Sequence, residues 1–269
     1  MNRHELQTKS RRGSVLLVAE GDSWFDFPYP FRTDIVRHMR RSGYAVSEVA
    51  DPAHTLEFMA TAEHQRNEFA DEINKLAKRK TKPIAVLLSG GGNDFIDRLP
   101  LLLNEYDPKT PTLNEVEVND FAANHIEKFY KEWLSFVADT CNQAFGSVDR
   151  IPIIVHGYAY VVPDGRGLPF YNDNWLKKEF RAKGHRDLVQ NTKTMAMLID
   201  MFNDVLCALA GNKPFDNVHY VDLRNTLSND LSRVNGKRIY KEDWGDELHP
   251  TNSGFAKVVA ELSTVIDGL

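Results

Sequence analysis

Three short blocks of this sequence carry residue types that together could perform nucleophilic catalysis. The blocks are Gly21-Asp22-Ser23, Gly90-Gly91-Gly92-Asn93-Asp94 and Asp246-Glu247-Leu248-His249-Pro250. A serine hydroxyl becomes a useful nucleophile when an imidazole removes its proton and a carboxylate orients that imidazole. The spacing of three between Asp246 and His249 lets the carboxylate reach the imidazole within a tight turn. The blocks therefore predict a Ser-His-Asp arrangement in which Ser23 is the nucleophile.

Taken singly, each block is a weak signal. A Gly-Asp-Ser tripeptide is most often an ordinary turn, and an aspartate three residues before a histidine is commonplace. Their positions strengthen them, because two follow predicted strands directly and the third precedes a predicted helix. Working sites of open parallel sheets lie beyond the carboxyl ends of the strands.

Short apolar runs alternate with long amphipathic patterns along the chain, which is typical of βαβ units stacked into a parallel sheet. The runs predict strands over residues 14–19, 45–49, 84–89, 151–155 and 218–222. The patterns between them predict helices over residues 33–42, 60–79, 119–144, 186–210 and 251–266. Residues 100–118 and 161–185 do not fit the alternation and are predicted to be insertions at the edge of the sheet. Residues 1–269 are otherwise expected to form one domain.

In this order the three blocks resemble those of the SGNH hydrolases, also called the GDSL esterase and lipase family, over nearly the whole chain. The resemblance implies that Ser23 is the nucleophile, that His249 is the general base and then acid, and that Asp246 holds the imidazole. It also implies that Asn93 donates its side-chain amide to the oxyanion, alongside the backbone N–H of Ser23. The implied protein is a serine esterase that works through an acyl-serine intermediate. Its expected fold is a flavodoxin-like α/β/α sandwich with strand order 2-1-3-4-5.

One family feature is missing. The family has a glycine after the second strand whose N–H is a third oxyanion donor, and this sequence has no glycine between Gly43 and Gly90. Ala53, in the segment 51–56, stands at the expected position. Because the donor is a backbone N–H, alanine can supply it, provided that its φ is negative.

The substrate pocket is predicted to include Trp24, Phe25 and Gly92. An aromatic run follows Ser23 and consists of Trp24, Phe25, Phe27, Tyr29 and Phe31. It either packs under the first helix or forms the wall of an acyl pocket, and both interpretations remain open. The stretch 161–185, with Tyr171, Trp175 and Phe180, is either a lid over that pocket or an insertion with its own small core. His54 either lines the pocket or is an ordinary surface or core histidine. The substrate is left open among a lipid ester, an acetylated sugar, a thioester and a small metabolite ester.

Composition excludes several other classes of protein. The formal net charge of −5 argues against a nucleic-acid partner. The apolar run 15–19 is too short for a signal peptide or a membrane span, so a cytoplasmic location is expected. Cys141 and Cys207 are predicted to be buried thiols. The histidines lack metal-ligand spacing, and neither a metal nor a cofactor is expected. The sequence does not predict an oligomeric state.

Three competing interpretations can be weighed. An α/β-hydrolase needs a G-x-S-x-G elbow, and the sequence has none. A phosphate-binding fold would need the motif G-x-G-x-x-G or G-x-x-x-x-G-K-[ST], and the glycine run Gly90 to Gly92 fits neither. A noncatalytic member of the same fold, binding a ligand or another protein, is the remaining alternative. The presence of all three catalytic residue types favours catalysis over that alternative.

Overall fold

The computed structural model describes residues 15–28, 33–168 and 174–269. Of the residues singled out above, Tyr29, Phe31 and Tyr171 lie outside the described residues. The same holds for the start of the first predicted strand at Ser14.

The described chain contains a five-stranded parallel sheet with strand order β2-β1-β3-β4-β5. The strands are β1 Leu16–Gly21, β2 Ala45–Glu48, β3 Ala85–Ser89, β4 Ile153–His156 and β5 Val218–Val221. The prediction of five parallel strands in the order 2-1-3-4-5 is confirmed. Gly21 pairs with Ser89, so β1 and β3 end level with one another. The loops that carry Ser23 and Asn93 therefore leave the sheet side by side.

The central strands are covered on both faces. Leu17, Val18 and Ala19 of β1 are fully buried, and every residue of β3 is buried. Strands with helices on both faces consist of nearly continuous apolar residues. This is why the sequence predicts these strands so closely.

Helices form two layers around the sheet. They are α1 Ile35–Arg41, α2 Leu56–Thr61, α3 Glu63–Lys78, α4 Gly92–Leu102, α5 Glu115–Asp120, α6 Lys128–Phe145, α7 Lys177–Ala182, α8 Leu188–Leu209 and α9 Asn252–Ile266. A π-helical segment, Phe121–Glu127, joins α5 to α6. Helix α1 packs against α9. In a second group, α2 and α3 both pack against α6, and α8 packs against the π-helical segment. Right-handed crossovers put these two groups on opposite faces of the sheet. Among the described residues, no helix is both long and apolar enough to cross a membrane. Of the two thiols expected to be buried, Cys141 on α6 is buried, whereas Cys207 on α8 is exposed, which corrects that prediction.

Several helix boundaries differ from the prediction. The predicted helix 60–79 is two helices, because Ala62 has an extended conformation (φ −71°, ψ 120°) between α2 and α3. Thr55 begins α2 by accepting a hydrogen bond from the Phe58 N–H. Helix α4 is not predicted, since its glycine run and Pro100 are typical of a loop. Gly91 begins α4 with a φ of 103°, and a Cβ there would lie 2.5 Å from Phe202.

The two irregular stretches contact each other. The Tyr106 N–H donates to the Lys183 carbonyl at 2.7 Å, and the His185 ring nitrogen lies 2.9 Å from the Asn104 carbonyl. The stretch 161–185 contains α7. Near the C-terminus, a small hairpin pairs β6 Arg233–Val234 with β7 Lys237–Arg238. A 3₁₀ turn, Ile239–Glu242, follows it.

Candidate active site

The three residues predicted to act together meet at the carboxyl edge of the sheet. Ser23 lies in the turn after β1, and its Oγ is 2.9 Å from Nε2 of His249, 226 positions away in sequence. On the other side of the ring, Nδ1 of His249 is 3.0 Å from Oδ1 of Asp246. Ser23 is half-buried, and Asp246 and His249 are buried. This geometry allows the imidazole to remove the Ser23 proton while the carboxylate stabilises the resulting charge.

The turn that carries Ser23 is fixed by the side chain of Asp22. Its carboxylate accepts hydrogen bonds from the Trp24 N–H at 3.0 Å, the Ser89 hydroxyl at 3.0 Å and the Tyr158 hydroxyl at 2.7 Å. Burial raises the pKa of Asp22, against the effect of these hydrogen bonds. The Tyr158 hydroxyl also accepts from the Gly92 N–H at 3.1 Å. One side chain from the loop after β4 thereby joins the loops after β1 and β3.

The loop that carries His249 is held by its own backbone and by Asp246. Oδ1 of Asp246 accepts from the N–H groups of Leu248 at 2.9 Å and His249 at 2.8 Å. Burial alone would raise the pKa of Asp246, but His249 and these hydrogen bonds together hold it at about 2. The loop ends where the Thr251 hydroxyl accepts from the Gly254 N–H at the start of α9. Asp246 is therefore an ionised, fixed partner for the imidazole.

Aromatic residues link the serine loop to the histidine loop. The Trp24 indole N–H donates to the Leu248 carbonyl at 3.1 Å. The His249 ring has its centroid 4.6 Å from that of Phe27 and 5.8 Å from that of Trp175. These contacts restrict the rotation of the imidazole away from Ser23.

Two groups are placed to bind an oxyanion. Within the described part of the chain, the Ser23 N–H has no hydrogen-bond partner. Asn93 lies in the first turn of α4, and its side-chain amide donates one hydrogen to the His54 carbonyl at 2.9 Å. Its second amide hydrogen is left for a ligand. The next residue, Asp94, fixes the start of α4: its carboxylate accepts a hydrogen bond from the Leu56 N–H at 2.8 Å and lies 2.6 Å from the His125 ring nitrogen.

Ala53 does not meet the condition set for it as a third donor. Its φ is 68°, in the left-handed region that disfavours alanine, and its side chain is exposed. It is also absent from the walls of the cavity beside Ser23. His54 does not line that cavity either, and its ring packs against Phe58 with centroids 4.5 Å apart. His54 contributes to the site through its carbonyl, which positions Asn93.

A cavity of about 50 Å³ opens beside Ser23 and His249. Trp24 and Gly92 line it, as predicted. Phe25 does not, which corrects the prediction: it is fully buried in the core, with its ring 5.8 Å from that of His156. Sequence reasoning missed several cavity residues, which are Phe95, Ile96, Tyr158, Val161, Leu176, Met195, Ile199 and Leu248. Only Tyr158 carried a usable signal, as a polar aromatic residue just after a buried strand.

A buried glutamate ties the stretch 161–185 to the histidine loop. The Glu247 carboxylate accepts from three backbone N–H groups, those of Gly165 at 2.7 Å, Leu176 at 2.9 Å and Lys177 at 3.1 Å. Burial raises the pKa of Glu247. Because Leu176 lines the cavity, Glu247 connects one cavity wall to the loop that positions His249. No sequence pattern predicted this role.

No family model and no curated protein matches the sequence. Among solved structures, the chain is similar to a lipase from a goat rumen metagenome, with a TM-score of 0.57 and 16% identity over 93% of this chain and 96% of that one. An extracellular lipase from Streptomyces rimosus gives a TM-score of 0.49 and 14% identity over 93% and 99% of the two chains. An acetylxylan esterase from Geobacillus stearothermophilus gives a TM-score of 0.45 and 14% identity over 94% of each.

The likeness to the rumen lipase concerns the fold. Together with the strand order and the two helix layers, it confirms the expected flavodoxin-like, three-layer α/β/α fold. What this chain does with that fold depends on the arrangement of its own residues.

Proposed function

We propose that this protein is a carboxylic ester hydrolase of the SGNH, or GDSL, family that acts through an acyl-Ser23 intermediate. One observation carries the proposal: Ser23 Oγ, His249 and Asp246 form a continuous hydrogen-bonded chain with distances of 2.9 and 3.0 Å. The three family blocks in the sequence support the same assignment. So does the cavity that opens at Ser23.

Acyl transfer in this site has two steps. In the first, Ser23 Oγ bonds to the ester carbonyl carbon while its proton passes to Nε2 of His249. His249 then gives that proton to the leaving alkoxide as the ester C–O bond breaks. In the second step a water molecule attacks the acyl-serine, with His249 taking and returning a proton in the same way. The fixed negative charge of Asp246 stabilises the imidazolium in both steps.

Charge on the carbonyl oxygen develops in the transition state and needs donors that are already oriented. The Ser23 N–H and the free amide hydrogen of Asn93 are the proposed pair. Preorganised donors of this kind supply a large part of the rate enhancement in acyl transfer. Because Asn93 is held by the His54 carbonyl, little reorganisation is required when the charge appears.

Covalent labelling tests the proposal directly. A fluorophosphonate probe should modify the native protein at Ser23, and the Ser23→Ala variant should remain unlabelled and hydrolyse no ester. Ser135→Ala is a matched control, because Ser135 is exposed on α6, and it should label as the native protein does.

Two results would contradict the proposal. Mass spectrometry that finds the adduct on another serine would exclude Ser23 as the nucleophile. A folded native protein that neither reacts with the probe nor hydrolyses any ester would instead favour the alternative of a noncatalytic binding protein with this fold.

A further inference from the structure

The apolar walls of the cavity beside Ser23 come from separate segments of the chain. They include residues of α4, of the stretch 161–185 and of α8, namely Phe95, Ile96, Val161, Leu176, Met195 and Ile199. Of these, all but Ile96 are at most 6% exposed. The polar groups that line the cavity in the described part of the chain include Ser23, Asn93 and His249, together with the Asp22 carboxylate and the Tyr158 hydroxyl, which are hydrogen-bonded to each other.

The walls are held by contacts behind them. The Phe95 ring packs against Phe121 and Phe202, with centroids 5.1 and 5.6 Å apart. On α8, the Ile199 carbonyl accepts from the buried Asn203 amide at 2.7 Å, which in turn lies 3.3 Å from the Tyr158 carbonyl. Close-packed interiors resist local expansion. The size of the cavity is therefore a property that a substrate must match.

The position of the base indicates which part of an ester occupies the cavity. His249 precedes α9, which lies on one face of the sheet, whereas α8 packs on the opposite face. The leaving oxygen must lie next to His249 to receive its proton, and the carbonyl oxygen must lie next to Asn93. The remaining substituent of the carbonyl carbon, the acyl chain, is then directed toward the apolar walls of α4 and α8.

We propose that this cavity is an acyl pocket that selects short acyl groups of two to four carbons, from acetyl to butyryl. The inference rests on the proposed ester hydrolysis. An apolar cavity of about 150 Å³ binds benzene, which has six carbon atoms. The cavity beside Ser23, at about 50 Å³, is about a third of that size and has room for roughly two to three non-hydrogen atoms beyond the carbonyl carbon. Longer chains would have to displace Met195, Ile199 or Leu176.

The test is a series of p-nitrophenyl esters with acetyl, butyryl, octanoyl and dodecanoyl groups. The native protein should give its highest kcat/KM with the acetyl or butyryl ester and at least a tenfold lower value with the octanoyl ester. Met195→Ala removes wall atoms and should raise the octanoyl-to-butyryl ratio of kcat/KM at least tenfold. Met197→Ala is the matched control, because Met197 is on the same helix and 60% exposed, and it should leave the ratio unchanged.

Val161→Ala covers the case in which Met195→Ala fails to fold, since it deletes less of the wall and should shift the ratio in the same direction. The inference is overturned if the native protein prefers octanoyl or dodecanoyl esters, or if a folded wall variant leaves the ratio unchanged. In either case Ser23 would still be labelled and esters would still be hydrolysed. Loss of both labelling and hydrolysis in the native protein would instead contradict the proposed function.

Discussion

Asn93 uses its two amide hydrogens differently. One is bound to the His54 carbonyl, and the other is available to a substrate. With Ala53 exposed and in a left-handed conformation, the proposed oxyanion site depends on Asn93 and the Ser23 N–H. A site with two donors should be sensitive to the loss of either one.

Asn93→Ala should therefore lower kcat by about 10²–10³-fold, or about 3–4 kcal/mol, as loss of one oxyanion donor does in well-characterised serine hydrolases. KM should change little, because the hydrogen bond strengthens only as charge develops. Asn93→Asp should be at least as damaging, since it adds like charge next to the forming anion. Steady-state kinetics on the butyryl ester give kcat and KM for the native protein and for both Asn93 variants.

Asn74→Ala is the control, because Asn74 is exposed on α3. The variant should keep native kinetics. A loss of less than about threefold in kcat for folded Asn93→Ala would be far below the effect of a lost oxyanion donor. It would assign the Gly-Gly-Asn-Asp loop a purely structural role.

The pH dependence of activity should report a single proton. His249 can accept the Ser23 proton only when its ring is neutral, so kcat/KM should fall as pH is lowered. The pKa of Asp246 is held at about 2, so this carboxylate stays ionised across the pH range of the assay. The acid limb of log kcat/KM against pH should therefore have a slope of one. A slope of two would mean that a second group must also lose a proton.

At the scale of elements, Glu247 holds the stretch 161–185 against the histidine loop. Glu247→Gln would direct an amide nitrogen either at the Leu176 N–H, which donates to Oε2, or at the N–H groups of Gly165 and Lys177, which share Oε1. At least one buried donor would then lose its acceptor. We expect a destabilisation of about 1–3 kcal/mol. A higher octanoyl-to-butyryl ratio of kcat/KM should accompany it, because Leu176 would be less firmly held. Urea unfolding and the ester series measure the two effects.

Glu242→Gln provides the matched control, since Glu242 is exposed five residues earlier in the chain. It should change neither stability nor chain-length preference. If the midpoint of urea unfolding is the same for Glu247→Gln as for the native protein, the three hydrogen bonds contribute little to holding the stretch in place.

The strands and the residues at their ends could be predicted from sequence, and the walls of the cavity could not. Each strand was predicted to within two residues of its structural bounds, because buried parallel strands are continuous apolar runs. Helix α4 was missed because Gly91 and Pro100 are typical of loops. The hairpin at Asn235-Gly236 was missed although this dipeptide favours the positive φ values, 50° and 80°, that both residues adopt.

The cavity residues illustrate the physical limit. Phe95, Val161, Leu176 and Met195 have no shared spacing in the sequence, and each alone has the pattern of an ordinary core residue. They converge because right-handed crossovers bring α4 and α8 to one face and because Glu247 holds Leu176 beside them. Apolar periodicity reveals that a residue is buried, and only the tertiary arrangement reveals that it is next to Ser23.

At the scale of the whole molecule, a buried carboxyl group links the sheet to one helix layer. Glu20, on β1, is fully buried and accepts hydrogen bonds from the Trp133 indole of α6 at 3.0 Å and the Gln65 amide of α3 at 3.2 Å. Burial raises the pKa of Glu20 from 4.5 to about 8, although both hydrogen bonds oppose the shift. Near neutral pH the folded protein therefore retains a proton that the unfolded chain releases.

This difference in proton binding predicts how stability depends on pH. Below pH 4.5 Glu20 is protonated in both states, and between 4.5 and about 8 the unfolded chain loses the proton first. The contribution of Glu20 to the free energy of unfolding should thus be highest below pH 4.5. It should fall by as much as about 5 kcal/mol as pH rises through the folded pKa. In Glu20→Gln this contribution is absent, so the stability of the variant relative to the native protein should increase from about pH 5 to about pH 9.

Any constant effect of the amide on packing cancels in that comparison, as do the contributions of Asp22, Asp34, Glu48 and Glu247, whose pKa values are also raised by burial. Urea unfolding across the range measures the difference, and Glu132→Gln, exposed on α6, should show none. A difference between Glu20→Gln and the native protein that stays constant with pH would mean that Glu20 does not titrate in this window.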